Sequence, residues 1–410
     1  MAKAPIPRCR GRVRLLAYAA VSSPQKLPEI QRFLRNRETA MLRLLKRFAG
    51  CESPTDSKPA VDRFGRIVAA EWRKRGAKVR YLSRKSEGDY LRIAWPATRL
   101  RAHPHSGNLK QILVLGHLDT VYELGAINKM PFRVAQGRAF GPGVFDMKGG
   151  LVIALFAVDA LAGAGWQPRR RIVFLWTSDE ETGSKSSQQA IEDEARRSAA
   201  VLVLEPAGPK GELKTRRKAT GTAEIVITGR AAHAGLDPGA GVNAVHELAL
   251  QAARLMRLNN PRRGVTVNPT IAQGGARSNV IPDKARLTID LRAETLADVR
   301  RIERKLHAVR PILPGARVVV HGGFSRPPLE RRSSAELFFD ATTLAEALGF
   351  SVDECLAGGG SDGNFTAALG VPTLDGLGAV GDGAHSPGEQ VIVSALPERA
   401  ALLAALLATL

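Results

Sequence analysis

The chain has 410 residues, of which 44% are hydrophobic and 24% charged, and its formal net charge is +21. A chain of this length is expected to form two domains, because one core rarely serves so many residues. No apolar run approaches the ~20 residues that span a bilayer, which excludes an integral membrane protein. The three cysteines (Cys9, Cys51 and Cys355) have no paired spacing, which argues against a disulfide framework and a cysteine-based metal site.

Residues 1–37 form a basic N-terminal extension. Arginines at 8, 10, 12 and 14 precede a short apolar stretch over 15–21, which has the outline of a secretory signal. The apolar part is minimal, so we favour a cytoplasmic protein and keep periplasmic export as the alternative. The positive charge also raises a different hypothesis, a basic nucleic-acid-binding protein on a spent hydrolase scaffold.

Residues 38–213 alternate between helical and strand patterns. Apolar spacing predicts helices over 38–48 and 60–75, and a buried helix over 147–162. Short apolar runs predict strands over 79–82, 90–95, 110–116, 171–177 and 201–204. This rhythm predicts an α/β catalytic domain with a mixed, partly parallel sheet, whose functional groups gather where the strands end.

A different order follows over 214–325. Strands are predicted over 223–228, 264–271, 285–291 and 316–321, with helices over 243–258 and 296–309. This β-α-β-β-α-β order indicates an inserted ferredoxin-like α+β domain. The first domain is predicted to resume over 326–410 with a helix over 334–348, a glycine-rich loop over 358–363 and a closing helix over 394–407.

His117 and Asp119 come at the end of the predicted strand 110–116. Side chains two positions apart on an extended segment project to the same side. The pair therefore suits a metal ligand and the carboxylate that orients it. Taken alone, such a pair is more often an ordinary hydrogen-bonded one.

Four other acids and one histidine also follow predicted strands or lie in glycine-rich turns and loops. The candidates are Asp146 in a Gly/Pro-rich turn, Glu180 and Glu181 after strand 171–177, Glu205 after strand 201–204, and His385 in a late loop. Separately, each has an ordinary explanation: a helix N-cap for Asp146, solvated strand ends for the glutamates and a surface loop for His385. Together with His117, four of them (all but Glu180) supply two imidazoles and three carboxylates, the set that two zinc ions bridged by one carboxylate would use, and Glu180 remains as an unliganded acid.

Six motifs occur in the order seen in the dinuclear-zinc peptidase family of glutamate carboxypeptidase, aminoacylase, acetylornithine deacetylase and succinyl-diaminopimelate desuccinylase. They are Gly-His-Leu-Asp-Thr (116–120), Gly-Pro-Gly-Val-Phe-Asp-Met-Lys-Gly-Gly (141–150), Ser-Asp-Glu-Glu-Thr-Gly-Ser (178–184), Glu-Pro (205–206), Gly-Arg-Ala-Ala-His-Ala-Gly (229–235) and Gly-Ala-His-Ser-Pro (383–387). The resemblance covers residues 38–410 and looks strongest to the glutamate carboxypeptidase branch. It implies a zinc-exopeptidase-like catalytic domain with an inserted lid and dimerisation domain.

The resemblance also implies roles for individual residues. Two Zn²⁺ ions per subunit, with Co²⁺ or Mn²⁺ as substitutes, would be held by His117 and Glu205, by Glu181 and His385, and by a bridging Asp146. Asp119 would orient His117. Glu180 would be the general base that takes a proton from a metal-bridging water, whose hydroxide attacks an amide carbonyl. His233 of the inserted domain would stabilise the charge of the tetrahedral intermediate, across a homodimer.

For the substrate, Arg292 and Arg326 resemble the family's carboxylate-binding arginines, since a planar guanidinium suits a carboxylate. Asn279 and the backbone of Gly359 and Gly360 would face the same pocket. The alternative for both arginines is a surface ion pair. A lysine that receives a glutamate side chain in the folate-cleaving relative has no clear counterpart, because Glu212 falls near its expected place, although Lys210 or Lys214 could substitute if the loop moves.

We therefore predict a zinc-dependent amide hydrolase of carboxypeptidase type that releases a C-terminal amino acid, with glutamate as one candidate, from small peptides or N-acyl amino acids. The alternative is an N-acyl-amino-acid deacylase, an aminoacylase. No nucleic-acid or membrane partner is expected, because every expected metal ligand is present and an inactive relative typically loses one.

Overall fold

The structure is a computed structural model that describes residues 26–96, 110–166, 168 and 170–410. The chain divides into two compact units. The first comprises Met1–Thr215, Ser333–Cys355 and Leu369–Leu410, and the second Arg216–Arg332 and Leu356–Ala368. The domain bounds predicted at 37, 213 and 325 stay a prediction. The signal-like stretch over 8–21 lies outside the described residues.

Helices and strands follow one another along the first part of the chain. They are α1 (Lys26–Arg35), α2 (Glu38–Ala49), α3 (Lys58–Lys74), β1 (Lys78–Leu82), β2 (Tyr90–Trp95), β3 (Gln111–His117), α4 (Ala126–Lys129), β4 (Arg133–Ala135), β5 (Arg138–Phe140), α5 (Gly149–Gly163), β6 (Ile172–Thr177), α6 (Gln188–Arg196) and β7 (Ser198–Val203). Residues 26–35, predicted as part of the basic extension, form a helix whose Leu27, Ile30 and Leu34 are buried in the main core.

The remaining elements complete both units. They are β8 (Leu213–Arg217), β9 (Ala219–Thr228), β10 (Ala232–His233), α7 (Ala244–Met256), β11 (Thr266–Gly274), β12 (Val280–Ile281), β13 (Lys284–Ala293), α8 (Leu296–His307), β14 (Arg317–Arg326), α9 (Arg331–Ala347), β15 (Glu354–Ala357), α10 (Gly363–Ala368), β16 (Thr373–Leu374), β17 (Gly381–Asp382), β18 (Gln390–Ile392) and α11 (Ala395–Thr409).

The first unit is built on a six-stranded sheet in the order β1-β2-β6-β3-β7-β16. The pairs β6–β3, β3–β7 and β7–β16 are parallel, whereas β1–β2 and β2–β6 are antiparallel. Every residue of β3 and β6 is buried, as expected for strands covered on both faces. This arrangement confirms the predicted mixed, partly parallel sheet. The carboxyl ends of β3, β6 and β7 come together at one edge.

The second unit is a four-stranded antiparallel sheet in the order β11-β13-β9-β14. With helices α7 and α8 inserted after its first and third strands, this is the ferredoxin-like fold that the sequence predicted. Alternate residues of the central strands, including Ile225 and Leu287, are buried with Leu248 and Ile302 of the two helices. The two helices therefore cover the same face of the sheet.

A buried glutamate in helix α3 forms ion pairs with three of the chain's many basic residues. Glu71 accepts hydrogen bonds from Arg47, Lys74 and Arg75, at 2.8, 2.7 and 3.0 Å. Burial by itself favours the neutral acid, but these three cations hold the pKa of Glu71 below its ordinary value. The carboxylate is thus ionised in the folded protein.

None of the helices in the described part of the chain combines the length and the apolar character that crossing a bilayer requires.

Candidate metal centre

His117 is the last residue of β3 and is almost completely buried. Its Nδ1 lies 2.9 Å from the main-chain carbonyl of Asp119 and 3.4 Å from the Asp119 carboxylate. An Nδ1–H that donates to this carbonyl leaves the Nε2 lone pair available for a cation. Nε2 faces two carboxylates, Asp146 at 3.2 Å and Glu205 at 3.3 Å.

Asp146 lies in a π-helical turn, Val144–Lys148, that leads into α5. Its backbone angles (φ −115°, ψ 97°) are not helical and the N-cap of α5 is Lys148, so the N-cap explanation of Asp146 is wrong. One carboxylate oxygen faces His117, and the other lies 3.5 Å from Nε2 of His385. Asp146 therefore stands between the two imidazoles.

Glu180 and Glu181 follow β6 in a short 3-10 turn, Glu180–Thr182. Glu181 Oε2 lies 3.1 Å from Nε2 of His385. Two groups could each hold a metal ion, since their ligand atoms lie within 4.8 Å of one another: His117, Asp146 and Glu181, and His117, Glu180 and Glu205. The structure thus brings together all five predicted ligands and Glu180.

Asp119 ties this cluster to its surroundings. Its side chain is 1% exposed, and its Oδ2 accepts hydrogen bonds from the Thr55 hydroxyl at 2.9 Å and from the Glu181 amide at 3.2 Å. The Asp119 carboxylate lies farther from the His117 ring than its own main-chain carbonyl does. Its orienting role stays a prediction, with the carbonyl as a second contributor.

The pKa values of the cluster reflect a shortage of positive charge. Burial alone would lower the pKa of His117, but hydrogen bonds with Asp119, Asp146 and Glu205 raise it well above its usual value. Hydrogen bonds with Asp146 and Glu181 raise the pKa of His385 to about 10. Burial and the nearby Asp146 charge raise the pKa of Glu181. Crowded carboxylates of this kind ionise together only where cations neutralise them.

In the described part of the chain, the buried Oε1 of Glu181 has no hydrogen-bond partner. Oxygens buried in this way are costly unless something pairs with them. Imidazole and carboxylate donors are the ligands that zinc takes in proteins. The residues present therefore fit a divalent metal.

The predicted residues of the second unit form their own contacts. His233 is exposed, and its Nδ1 accepts hydrogen bonds from the amides of Gly235 and Leu236 at 3.2 and 3.0 Å. Asn279 is exposed, and its main-chain carbonyl accepts from Ala234 N at 2.9 Å. His233 is the last residue of the short strand β10, and Asn279 directly precedes the short strand β12.

The two predicted carboxylate-binding arginines are held by acids of their own unit. Arg292 makes two hydrogen bonds with Asp290, at 3.0 and 2.9 Å, which is the ion pair of the alternative explanation. Arg326 is buried and lies 3.6 Å from Asp362. The carbonyls of Gly359 and Gly360 accept hydrogen bonds from one further arginine of this unit, at position 217. Roles for these residues in substrate binding stay predictions.

Sequence reasoning missed three residues that contact the cluster. Thr55 donates to Asp119, the Tyr122 hydroxyl donates to the carbonyl of Ser386 at 3.0 Å, and Glu389 accepts from the turn of Asp146. Thr55 and Tyr122 carry no distinctive pattern. Glu389 had a signal, because an acid two residues before an apolar run (Val391 to Val393) and four residues after a candidate ligand is a candidate for burial.

The chain is similar in sequence to known hydrolases. The sequence profile of peptidase family M20/M25/M40 matches residues 113–409. Carboxypeptidase G2 of Pseudomonas sp. strain RS-16 is 35% identical over 305 residues, which is 73% of each chain. The succinyl-diaminopimelate desuccinylase of Dechloromonas aromatica is 26% identical over 321 residues, 70% of this chain and 80% of the relative.

Solved structures share the fold. Aminopeptidase PepT from Bacillus cereus superimposes with a TM-score of 0.75 at 21% identity, covering 91% of this chain and 98% of that one. An M20 family metallo-carboxypeptidase from Sulfolobus solfataricus has a TM-score of 0.64 at 16% identity, covering 90% and 98%. The family match over most of the length, together with the cluster of metal-binding side chains, establishes that the chain belongs to peptidase family M20/M25/M40 and is a metal-dependent hydrolase.

Proposed function

We propose that the protein is a carboxypeptidase-type amide hydrolase with two zinc ions per chain. It would release a C-terminal amino acid, with glutamate as one candidate, from small peptides or N-acyl amino acids. The observation that carries the proposal is the Asp146 carboxylate, whose two oxygens face different imidazoles at 3.2 and 3.5 Å. The 35% identity to carboxypeptidase G2 supports the choice of reaction.

The two metal sites would share Asp146. His117 and Glu205 would complete one, and Glu181 and His385 the other. His117 is 1% exposed and His385 51% exposed at the side chain, so the two sites differ in access to solvent. Zinc bound there supplies Lewis acidity toward a carbonyl oxygen and lowers the pKa of water.

Glu180 would move the proton. It is mostly buried and lies at the same strand end as the ligands, within 4.8 Å of His117 and Glu205 ligand atoms. A carboxylate in this position accepts a proton from the attacking water and returns it to the leaving amide nitrogen. An acid that does both lets the C–N bond break without releasing an amide anion.

His233 would stabilise the negative oxygen of the tetrahedral intermediate. Because its Nδ1 accepts two backbone hydrogen bonds, the ring proton belongs on Nε2, which is then a donor. We further propose a homodimer through the second unit, in which this donor serves a site across the interface. Apolar side chains that are exposed on this unit support it: Leu236 (83%), Ile271 (53%) and Met256 (52%).

Arg292, Arg326, Asn279 and the backbone of Gly359 and Gly360 would recognise the substrate. Arg292 is bound to Asp290, so a substrate carboxylate would have to compete with that acid. The alternative is an N-acyl-amino-acid deacylase that uses the same site. The two differ in the acyl group accepted, which is aminoacyl or aroyl in the first case and acetyl or fatty acyl in the second.

The test measures metal content together with hydrolysis of a panel of dipeptides, N-aroyl-glutamate and N-acetyl amino acids. Two zinc ions per chain and turnover of a dipeptide or aroyl-glutamate would support the carboxypeptidase. A preference for N-acetyl amino acids would favour the deacylase. A metal-loaded protein that hydrolyses none of these amides would refute the proposal.

A further inference from the structure

The turn that carries Asp146 is held by a side chain from a distant part of the sequence. Glu389 lies between the loop of His385 and strand β18, and it is 0% exposed. Its Oε1 accepts hydrogen bonds from the amides of Phe145 and Asp146 at 2.7 and 2.9 Å, and its Oε2 accepts from Gly143 at 3.0 Å. One buried carboxylate thus accepts hydrogen bonds from three backbone amides in and just before the turn that carries Asp146.

These amides have no ordinary helical acceptors. The turn Val144–Lys148 is closed by the bond from Lys148 N to Gly143 O, at 2.9 Å, and its backbone leaves the helical region at Asp146 and Met147. A buried amide without an acceptor is costly, so the path of this turn depends on an acceptor placed beside it. Glu389 is that acceptor.

The same residue is tied to the loop of His385. The Glu389 amide donates to Ser386 O at 3.1 Å, and that carbonyl also accepts from the Tyr122 hydroxyl at 3.0 Å. Strand β18 continues from Glu389 and pairs with β5, which precedes the Asp146 turn. Glu389 therefore joins the segments that carry Asp146 and His385, whose side chains lie 3.5 Å apart.

We infer that Glu389 is a positioning residue that aims the Asp146 carboxylate between the two imidazoles and so sets the affinity of the centre for metal. The inference rests on the proposed function, because it takes Asp146 as a ligand. The Glu389 carboxylate accepts hydrogen bonds from three backbone amides and pairs with the Tyr122 hydroxyl, and it is not among the proposed ligands. Its effect on the site is transmitted through the backbone of the turn.

The test is the substitution Glu389→Gln. Glutamine keeps the volume of the side chain but replaces one acceptor oxygen by an NH2 group. At least one backbone N–H then faces another donor and loses its hydrogen bond. Partners that orient metal ligands typically contribute tenfold to a hundredfold in affinity. We expect the zinc dissociation constant, measured by competition with a chromophoric chelator, to rise about tenfold to a hundredfold.

A matched control exists in the second unit. Glu247 is also 0% exposed, and its carboxylate accepts from the amides of Ile312 and Leu313 at 3.0 and 2.7 Å. Glu247→Gln removes the same kind of clamp far from the ligands in the sequence and in the other unit. We expect this variant to lose stability toward urea while its zinc affinity stays within about twofold of wild type.

The outcomes separate the two claims. If Glu389→Gln loses stability as Glu247→Gln does but binds zinc like wild type, Glu389 is only a structural brace and the inference is overturned. Should Glu389→Gln fail to fold, Tyr122→Phe removes a hydrogen bond with the Glu389 carboxylate as well as the one to the Ser386 carbonyl. A rise of about two- to tenfold in the dissociation constant then supports the inference, and no change overturns it. A wild type that binds zinc but hydrolyses no amide refutes the proposed function alone.

Discussion

The contacts of the Asp119 carboxylate allow us to predict how its replacement changes zinc binding. Replacing Asp119 by Asn keeps the shape but removes the charge and one acceptor. Asp119 Oδ2 accepts from Thr55 and from the Glu181 amide at 2.9 and 3.2 Å, and its Oδ1 lies 3.4 Å from the His117 ring. The asparagine side chain has only one acceptor oxygen, so it can accept either the hydrogen bonds made by Oδ2 or the contact with the His117 ring made by Oδ1, but not both.

The expected cost follows from the bonds lost. A hydrogen bond to a charged group contributes about 1.5–3 kcal/mol, which corresponds to roughly tenfold to a hundredfold in a binding constant. We therefore expect Asp119→Asn to weaken zinc binding about tenfold to a hundredfold, because both His117 and Glu181 lose part of their support. Competition with a chromophoric chelator at fixed pH measures the effect directly.

Thr55→Val is the matched control for this prediction. It removes one hydrogen bond to Asp119 but keeps the carboxylate charge and its contacts with His117 and the Glu181 amide, so the loss of zinc affinity is expected to be below about tenfold. A folded Asp119→Asn protein that binds zinc within about twofold of wild type would refute the reasoning. In that case the main-chain carbonyl of Asp119, 2.9 Å from Nδ1, orients the His117 ring without help from the carboxylate.

Three further predictions concern proton transfer, stability and packing. Glu180→Gln should keep its bound metal, measured by elemental analysis, and lose about a hundredfold to ten-thousandfold in kcat; unchanged turnover would exclude Glu180 as the base. Glu71→Gln should destabilise the protein by about 1–3 kcal/mol in urea unfolding at pH 7. Because the folded pKa of Glu71 lies below its ordinary 4.5, this stabilisation is present above that value and fades as the pH falls through the folded pKa, so equal deficits at pH 7 and pH 3 would contradict it. Gly150→Ala would bring a Cβ within 2.3 Å of the Leu204 carbonyl and should lower the free energy of unfolding in urea by about 1–3 kcal/mol, whereas Gly65→Ala, whose Cβ would meet its nearest neighbour at 3.5 Å, should be neutral or stabilising.

The sequence predicted the features that depend on neighbouring residues. Short apolar runs indicated β3 and β6, both of which are buried throughout, and the order of strands and helices indicated the ferredoxin-like unit. Periodicity carries this information because burial on one or both faces imposes a local pattern on the side chains. The ligand candidates were visible for the same reason, since each follows the end of such a run or lies in a glycine-rich turn.

Tertiary structure alone decided which groups meet. The Glu389 carboxylate reaches amides about 240 positions earlier in the chain, and no periodic pattern connects residues so far apart. The Glu181 amide turned out to donate to the Asp119 carboxylate, 62 positions earlier, and Nε2 of His117 to face Asp146 and Glu205. Such contacts follow from how strands pack and loops return, so the residue types alone determined the chemistry on offer, while the fold determined the partners of each side chain.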